Sequence, residues 1–436
     1  MYSQRILPVS NVSEVEVSFP YGKKRLNLFL PEDKTYIVES KPAIEVKPKS
    51  LSYVSEVIDS PISSERLDVL VRRASRISIL ITDKTRATPI RELLLPVLEK
   101  ISKIGFRKEE INIIVAPGLH EPHKYDDFIE LMGKDIVDEY NVFSHDSDNA
   151  EELSYLGKTS YGTEVYVNKN VVNSDLVIGI GMIEPHFFAG YSGGRKLILP
   201  GVSGTKTVYQ NHGYKMIAHP KADYGILQGN PIHEDMVEAS KMVTSYKFIV
   251  HTIIDKNKKI LDVVAGDVID AHLEGVKKAE KHVSVTVPFK SDITFVTNGG
   301  YPLDRNLYQA VKGMKTAARV TKKKGVIIYV GECSDGVGHE KFGEILKVDK
   351  DPRKILRYIE SNEPLRDQWN AQILAQLLLD YRIIVVTKGI KHSELEEMNL
   401  IPASTLEEAK EIACRLTTCE KIIAIPEGPY VMPYTI

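Results

Sequence analysis

Residues 179–204, GIGMIEPHFFAGYSGGRKLILPGVSG, contain the densest group of potentially reactive side chains: His186, Arg195 and Lys196, set among several glycines. Such a concentration of glycine after an apolar run indicates tight turns and a close approach of the backbone to a ligand. A lysine in this setting could be a covalent attachment point or an anion ligand. The phosphate-loop pattern GxxxxGK[ST] is not met, because position 195 is arginine and Leu197 replaces serine or threonine. A nucleotide kinase or ATPase is therefore disfavoured, and a purely structural turn remains the alternative.

A second polar group, DKTRATP, directly follows another apolar run. Arg86 in this group could hold a carboxylate with two parallel hydrogen bonds. Asp83 and Thr85 could contact ribose or phosphate oxygens. The alternative is a structural one, in which Thr88 caps a helix that begins at Pro89 and the charges form a surface ion pair.

Histidines form the third group. His120 follows a predicted strand and a glycine, and an imidazole at a strand end is a candidate acid or base because its reference pKa is near neutrality. His123 lies three residues further on, but the HExxH spacing of zinc proteases is absent. His212, in VYQNHGYK, lies sixteen residues after Lys196 and carries no signal by itself.

The fourth group lies on a predicted helix within NGGYPLDRNLYQAVKGM. Tyr308 and Lys312 share one face of this helix and Gln309 flanks it, since residues four apart are neighbours on a helix. A phenol, an amide and an ammonium group together could bind an anion; a solvated helix surface is the alternative. Asp304 or Asn306 is expected to cap the helix.

Short apolar runs alternate with amphipathic stretches along the chain, which is typical of an α/β fold. The predicted strands include 76–83, 111–117, 141–146, 163–168, 174–181, 291–300 and 382–389, and the predicted helices include 91–105, 305–320 and 352–379. Because function in open α/β sheets gathers beyond the carboxyl ends of the strands, the polar groups that follow strands are well placed for a site.

Two α/β domains with parallel-rich sheets are predicted for this length of 436 residues. The first would span residues 1–282, with three short strands in its first 45 residues, and the second would span residues 283–436. A polar helix at 271–282 would connect them as a hinge. A cleft between two such domains is a usual place for a small-molecule site.

The composition excludes several classes of protein. Lys and Arg number 57 against 59 Asp and Glu, a net charge of −2, which disfavours a nucleic-acid-binding protein. No signal peptide or membrane-spanning run is expected, so a membrane partner is disfavoured. The cysteines, Cys333, Cys414 and Cys419, are too few and scattered for a disulfide framework or a zinc site, and a reducing cytoplasm is the predicted location.

Taken together, these segments resemble the nickel-dependent lactate racemase family over nearly the whole chain. The matching motifs are DxTR at 83–86, GxH ending at His120, PHFFAGYSGGRK ending at Lys196, the downstream His212, and YPLDRNLYQAVK ending at Lys312. Each motif is weak alone, but their order and spacing are specific.

The resemblance implies a nickel pincer nucleotide, a pyridinium-3-thioamide-5-thiocarboxylic acid mononucleotide that carries nickel. Lys196 would be attached to it through the thioamide, and His212 would be the protein ligand to nickel. Asp83, Thr85 and Arg195 would contact the cofactor. The chain would depend on cofactor-maturation enzymes and would be an apoprotein without them.

The resemblance further implies that His120 and His186 are the two acid/base histidines. Arg86 and Lys312 would bind the carboxylate of a small anionic 2-hydroxy acid, and Tyr308, Gln309 and Trp369 would be further substrate contacts. Hydride removal is also the chemically reasonable route, because removing the α-hydrogen as a proton would place a second negative charge beside the carboxylate. It requires an electron sink that no side chain provides.

The expected activity is interconversion of D- and L-lactate. Phe187 and Phe188 beside His186 could form an apolar wall suited to a methyl group. The alternatives are racemisation or epimerisation of malate, 2-hydroxyglutarate, phenyllactate or an aldonate. A non-catalytic nucleotide- or metal-binding protein is an alternative of a different class, but it would not explain the two paired histidines.

Overall fold

The computed structural model describes residues 13–39 and 50–435. Its strands are β1 Glu14–Tyr21, β2 Lys24–Pro31, β3 Thr35–Ile37, β4 Ile77–Thr82, β5 Ile111–Ala116, β6 Asn141–Ser144, β7 Leu153–Lys158, β8 Glu164–Asn168, β9 Leu176–Met182, β10 Pro185–His186, β11 Gly190–Tyr191, β12 Tyr246–Ile254, β13 Ile260–Gly266, β14 Ser284–Val287, β15 Ser291–Val296, β16 Thr321–Val330, β17 Arg382–Val386, β18 Ile401–Ala403, β19 Ile422–Ile425 and β20 Met432–Thr435.

The α-helices lie mainly between these strands, as expected for an α/β fold. They are α1 Leu51–Asp59, α2 Leu67–Arg72, α3 Ile90–Ser102, α4 Tyr125–Met132, α5 Lys134–Glu139, α6 Lys169–Val172, α7 Thr205–Asn211, α8 Tyr214–Ile217, α9 Pro231–Met242, α10 Asp270–Val283, α11 Leu307–Ala318, α12 Glu340–Leu346, α13 Pro352–Ser361, α14 Gln368–Asp380, α15 His392–Glu397 and α16 Leu406–Leu416.

The described chain divides into two compact units. We call residues 50–283 with 362–369 the larger unit, and residues 13–39, 284–361 and 370–435 the smaller unit. Each contains a six-stranded sheet with helices packed against it, so the predicted class of two α/β domains is confirmed.

The sheet of the larger unit has the order β13-β12-β9-β4-β5-β6, and only β13 runs antiparallel to its neighbour. Strand β4 lies in the middle because ISILIT is apolar on both faces, which suits a parallel strand covered on both sides. Helix α3 buries Leu93, Leu94 and Val97 in the same core. The carboxyl ends of β9, β4 and β5 therefore lie side by side.

The sheet of the smaller unit is parallel throughout, in the order β18-β17-β16-β15-β19-β3. The β1–β2 hairpin packs its apolar face, including Phe19 and Leu30, into the core of this sheet. Helix α11 is capped by Asn306, whose side chain accepts a hydrogen bond from the Gln309 N–H. The other predicted cap, Asp304, is buried and instead accepts from the backbone N–H of Gly22.

This division differs from the predicted domain 1–282 in two places. Residues 13–39 belong to the smaller unit, because β3 pairs in parallel with β19 at the edge of that sheet. Residues 362–369 belong to the larger unit although they are surrounded in sequence by the smaller one. The local sequence pattern predicts neither of these two assignments.

The predicted hinge helix is α10, and it does not act as an independent connector. Its apolar stripe packs on β12 and β13, where Val276 and Ala279 join Leu261 and Val264 in a buried cluster. The helix is therefore part of the larger unit, and the change of unit comes at its end.

Cys414, on α16, is joined to Cys419 by a disulfide bond. The sequence indicated no disulfide framework, and a single bond between cysteines five residues apart could not be read from their spacing. Cys333 is a buried free thiol. Among the described residues, no helix has the length and apolar character needed to cross a membrane.

Candidate active site

The predicted site residues of the larger unit follow neighbouring strands of its sheet. Asp83 comes directly after β4, His120 comes four residues after β5, and His186 lies on β10, shortly after β9. Since β9, β4 and β5 are adjacent and parallel, these residues emerge at the same edge of the sheet, where α/β proteins place their sites.

Asp83 and His120 form a hydrogen-bonded pair. Nδ1 of His120 donates to Oδ2 of Asp83 at 2.6 Å, and the Thr85 hydroxyl donates to Oδ1 at 2.8 Å. The carboxylate is 4% exposed, whereas the His120 side chain is 47% exposed. Because Nδ1 carries the shared proton, Nε2 of a neutral His120 has a free lone pair and can accept a proton.

The carboxyl group of Asp83 is held in its charged form. Burial raises its pKa, but the hydrogen bond and charge of His120, the charge of Arg86 and the hydrogen bond of Thr85 together lower it below its usual range. Asp83 was predicted to contact a cofactor. In the structure Asp83 orients His120, with one carboxylate oxygen bonded to His120 and the other to Thr85, and its contact with a cofactor stays a prediction.

Arg86 is paired with Glu184, whose Oε1 lies 3.0 Å from Nη1 of the guanidinium. Both side chains are partly exposed, at 29% and 37%. The guanidinium thus already holds a carboxylate, which is the kind of partner that the sequence predicted for it. Glu184, two residues before His186, was not singled out from the sequence.

His123 has a structural role. Its Nε2 accepts a hydrogen bond from the Lys84 N–H at 3.2 Å, and the side chain is buried. It thereby holds the polar turn after β4, while the ammonium of Lys84 pairs with Asp127. The HxxH pair of His120 and His123 does not form a metal site.

His186 is buried in an aromatic cluster. Its ring stacks on Phe187 at a centroid distance of 5.1 Å and meets Phe188 edge-on at 4.5 Å. Nδ1 accepts from the backbone N–H of Ala189 at 3.3 Å, so the proton of a neutral ring is on Nε2. The apolar wall predicted beside this histidine is present, and it packs directly against the imidazole.

Lys196 lies in a short 3₁₀ helix, Gly194–Leu197, that a tight turn precedes. Gly193 and Gly194 have φ angles of +81° and +55°. A Cβ atom at Gly193 would lie 2.7 Å from the ring of His251, and one at Gly194 would lie 2.9 Å from the ring of His272. Both positions therefore require glycine, for conformation and for space.

Arg195 fills the interior of this turn. The side chain is 1% exposed and donates to the carbonyl oxygens of Ala189 at 2.9 Å, Tyr191 at 2.7 Å and Gly193 at 3.1 Å. Burial lowers the pKa of Arg195 to about 9. In this structure Arg195 organises the backbone that carries Lys196, and its contact with a cofactor stays a prediction.

Two further residues that the sequence did not single out hold the same turn. The Gly194 N–H donates to Nε2 of His251 at 2.8 Å, and the Tyr246 hydroxyl donates to the Gly194 carbonyl at 2.9 Å. Burial, helped by the charge of Arg195, lowers the pKa of His251 to about 3, so this imidazole is a neutral acceptor. The signal was present in the sequence as a lone histidine inside the apolar strand β12.

His212 ends α7 and is almost fully buried. Burial, and then the charge of Lys196, hold its pKa well below its usual range, so the ring is neutral. It meets Phe188 and Trp369 edge-on, at centroid distances of 5.1 Å and 5.3 Å. The Lys196 ammonium lies 5.6 Å from the centre of the Phe188 ring, so Lys196 and His212 flank the same aromatic side chain.

These residues fit a metal group that brings its own donors. Nδ1 of His212 is a buried nitrogen without a hydrogen-bond partner, which leaves it available as a ligand. Within the described ranges, no three His, Cys, Asp or Glu side chains are grouped as a protein-only metal site requires. One neutral imidazole beside one lysine therefore fits a metal whose other ligands come from a group that is not part of the protein.

The predicted residues of the smaller unit lie together on α11. Tyr308 is buried, and its ring lies 4.1 Å from that of His339 and 5.5 Å from that of Phe342. Gln309 and Lys312 follow on the same helix, as predicted. His339 was missed because it precedes α12 and is distant in sequence.

Comparison with known proteins is consistent with this arrangement. The family description "Lactate racemase N-terminal domain" matches residues 21–225, and "Lactate racemase C-terminal domain" matches residues 286–432. The lactate racemase of Thermoanaerobacterium thermosaccharolyticum is 37% identical over 422 residues, which cover 95% of this chain and 98% of that protein. The lactate racemase of Lactiplantibacillus plantarum is 35% identical over 421 residues, with the same coverage.

Solved structures agree. The apoprotein of lactate racemase from Thermoanaerobacterium thermosaccharolyticum superposes with a TM-score of 0.91 at 36% identity, covering 96% of this chain and all of that one. A protein from Thermotoga maritima shares the fold, with a TM-score of 0.67 at 17% identity over 89% of this chain and 99% of that one. The sequence matches extend over nearly the full length of both partners, and the chain therefore belongs to the lactate racemase family.

Proposed function

We propose that this protein is a lactate racemase that uses a nickel pincer nucleotide attached to Lys196. The observation that carries the proposal is the grouping, within the larger unit, of the Asp83–His120 pair and His186 with a lysine beside a neutral, buried His212. The near-full-length relatives named lactate racemase support the same activity.

Lys196 would hold the nucleotide covalently, and His212 would donate one nitrogen to nickel. When bound, the group supplies an acceptor for the α-hydrogen and its electron pair, which side chains cannot do. Asp83 and Thr85 support this group only indirectly, because their hydrogen bonds are made to each other and to His120.

His120 provides the base for one enantiomer. Its Nε2 takes the hydroxyl proton while Nδ1 remains bonded to Asp83, whose charge stabilises the imidazolium that forms. His186 would serve the opposite face of the reacting carbon. It would start as the imidazolium, give its Nε2 proton to the substrate oxygen and be left neutral with the remaining proton on Nδ1, in place of the 3.3 Å contact from the Ala189 N–H. In the reverse direction the two histidines exchange roles, since the same path must be followed backwards.

Arg86 would bind the substrate carboxylate. It does so by exchanging Glu184 for the substrate, or by holding both carboxylates with different nitrogens. Lys312, Tyr308 and Gln309 are proposed as further substrate contacts, and this assignment remains a prediction from the family motif.

Lactate is favoured over larger 2-hydroxy acids by the packing around His186. Phe187 and Phe188 are 5% and 3% exposed and contact the imidazole directly, which leaves a compact apolar neighbourhood. Malate, 2-hydroxyglutarate, phenyllactate and an aldonate are the alternatives to test.

The experiment is to produce the protein together with the cofactor-maturation enzymes, measure its intact mass and nickel content, and follow optical inversion of a panel of chiral 2-hydroxy acids. An adduct on Lys196, about one nickel per chain and inversion of lactate would support the proposal. Full activity of unmodified protein would refute it. Inversion of another 2-hydroxy acid in preference to lactate would change the proposed substrate but not the proposed mechanism.

A further inference from the structure

Residues 362–369 form a segment of the larger unit that is separated in sequence from the rest of it. Arg366 lies near the middle of this segment and Trp369 lies at its end. Neither the predicted acid/base chemistry nor the predicted cofactor attachment gives Arg366 a role.

One arm of Arg366 binds the loop that carries His120. Nη1 donates to the carbonyl oxygen of Leu119 at 3.0 Å, which is the peptide group that joins Leu119 to His120. The same loop is held from another direction by the Gly118 N–H, which donates to the carbonyl of Gly201 at 3.0 Å. The His120 N–H itself donates to the carbonyl of Pro117 at 3.2 Å. The backbone of this loop is thus held by three hydrogen bonds, in addition to the Asp83 contact on the His120 ring.

The other arm of Arg366 reaches the helix that leads to His212. Nη2 donates to Oδ2 of Asp148 at 2.7 Å, and the Thr205 hydroxyl donates to Oδ1 of the same carboxylate at 2.5 Å. Thr205 is the first residue of α7. His212 follows the last residue of α7.

Trp369 gives the same segment a direct contact with His212, because the two rings meet edge-on at a centroid distance of 5.3 Å. The segment therefore contacts the residue before His120, the start of α7 and the ring that ends it. The exposed Arg366–Asp148 pair, at 33% and 60% exposure, adds little to overall stability. Its position between the His120 loop and α7 therefore indicates that it holds these two elements together, rather than that it stabilises the fold as a whole.

We infer that Arg366 is a positioning residue that holds the His120 loop and α7 in a fixed relation, so that the acid/base imidazole and His212 face the same ligand. This inference rests on the proposed function for its consequence in catalysis, but the placement of His120 can be measured without it. The planar guanidinium suits the task because it donates to two acceptors at once, which a lysine ammonium does with less fixed geometry.

The test is Arg366→Gln, with Arg91→Gln as the matched control. Arg91 has the same kind of contacts, donating to the carbonyl of Met132 at 2.6 Å and to the carboxylate of Asp135, but it touches no site element. In the apoprotein, the imidazole ¹H–¹³C signal of His120 is identified by its absence in His120→Gln. We expect Arg366→Gln to shift this signal and Arg91→Gln to leave it in place.

In the loaded enzyme, Arg366→Gln should lower kcat about 10- to 100-fold with KM changed less than about twofold, because a displacement of about 1 Å suffices for such a loss. Arg366→Lys should recover part of kcat. An unmoved His120 signal would overturn the inference, even if kcat or the melting temperature fell. A shifted signal in a protein that racemises no 2-hydroxy acid would support the positioning role and refute the proposed function. Should Arg366→Gln fail to fold, the signal of Arg366→Lys decides in the same way.

Discussion

Replacing Asp83 by asparagine keeps the shape of the side chain and removes its charge. In the protein as it stands, one carboxylate oxygen accepts from His120 at 2.6 Å and the other from Thr85 at 2.8 Å. An amide has only one oxygen, so it can replace one of these acceptors. The outcome depends on which way the amide turns.

If the amide oxygen faces His120, the ring keeps its tautomer and loses only the charge of its partner. A hydrogen bond to a charged group contributes about 1.5–3 kcal/mol and a neutral one about 0.5–1.5 kcal/mol, so the difference is about 1.4 kcal/mol, or about tenfold in kcat. If the amide nitrogen faces the ring, Nδ1 must accept and the proton moves to Nε2. His120 then cannot act as a base, and the same exchange in a serine protease triad costs about 10⁴-fold.

We therefore expect kcat of Asp83→Asn to fall between about 10-fold and about 10⁴-fold, with KM for lactate little changed because Arg86 is untouched. The assay is optical inversion from each enantiomer with cofactor-loaded protein. Since the enantiomers have equal free energies, kcat/KM must fall equally in both directions, and this equality checks the measurement.

The matched control is Asp292→Asn. Asp292 is also a buried carboxylate with a lowered pKa, since the hydrogen bonds of Lys322 and of the Lys421 N–H outweigh the effect of burial. It accepts hydrogen bonds from Lys322, Glu420 and Lys421, none of which is a predicted site residue. This variant should lose stability and keep kcat. A wild-type kcat in Asp83→Asn, with folding shown by its unfolding midpoint, would refute the idea that Asp83 sets the state of His120.

Three further outcomes follow from the same contacts. Lys196→Ala should show no mass adduct and no inversion, and an adduct elsewhere with full turnover would contradict the assignment. His186→Ala should cut inversion severely from both enantiomers, whereas activity within about twofold of wild type would contradict the two-base scheme. His251→Gln should weaken the acid sensitivity of folding. The pKa of His251 is about 3 in the folded protein and 6.5 in the unfolded chain. Below pH 6.5, acidification therefore destabilises the folded wild-type protein by about 1.4 kcal/mol per pH unit. Urea unfolding between pH 7 and pH 5 should show a difference of about 2 kcal/mol between the two proteins, and parallel curves would contradict the assignment.

Much of the fold could be predicted because local patterns of apolar and polar residues determine many of its strands and helices. The apolar runs that became β4, β5 and β9 and the amphipathic stretch that became α3 were placed within a few residues. The predicted domain of residues 13–39 differs from the unit to which they belong, since β3 pairs with β19, which lies near the opposite end of the sequence. No helix or strand was predicted within residues 205–266, although β12 and β13 in this range complete the sheet of the larger unit.

The sequence predicted a set of candidate site residues, but it did not predict several of the contacts that these residues make. The family resemblance assigned Arg195 to the cofactor, but it gave no sign of the contacts that this side chain makes with backbone carbonyl oxygens. The hydrogen bond between Asp83 and His120 could not be anticipated, because the two residues are 37 positions apart in the sequence. Arg366 could not be identified at all, since its contacts join positions separated by more than two hundred residues.

The histidines show why residue type alone is a poor guide to role. His120 is half exposed and shares its proton with a charged carboxylate, so it can take and release a proton. His212 and His251 are buried beside cationic side chains, and their pKa values are pushed down by burial and by Lys196 and Arg195 respectively. Nδ1 has no hydrogen-bond partner in either ring. In His212, which lies beside Lys196, this nitrogen is the proposed metal ligand, whereas Nε2 of His251 accepts from the Gly194 N–H and holds the turn that presents Lys196. Burial and charge, rather than sequence motif, thus suit one residue type to three different roles: a proposed base, a proposed metal ligand and a structural acceptor.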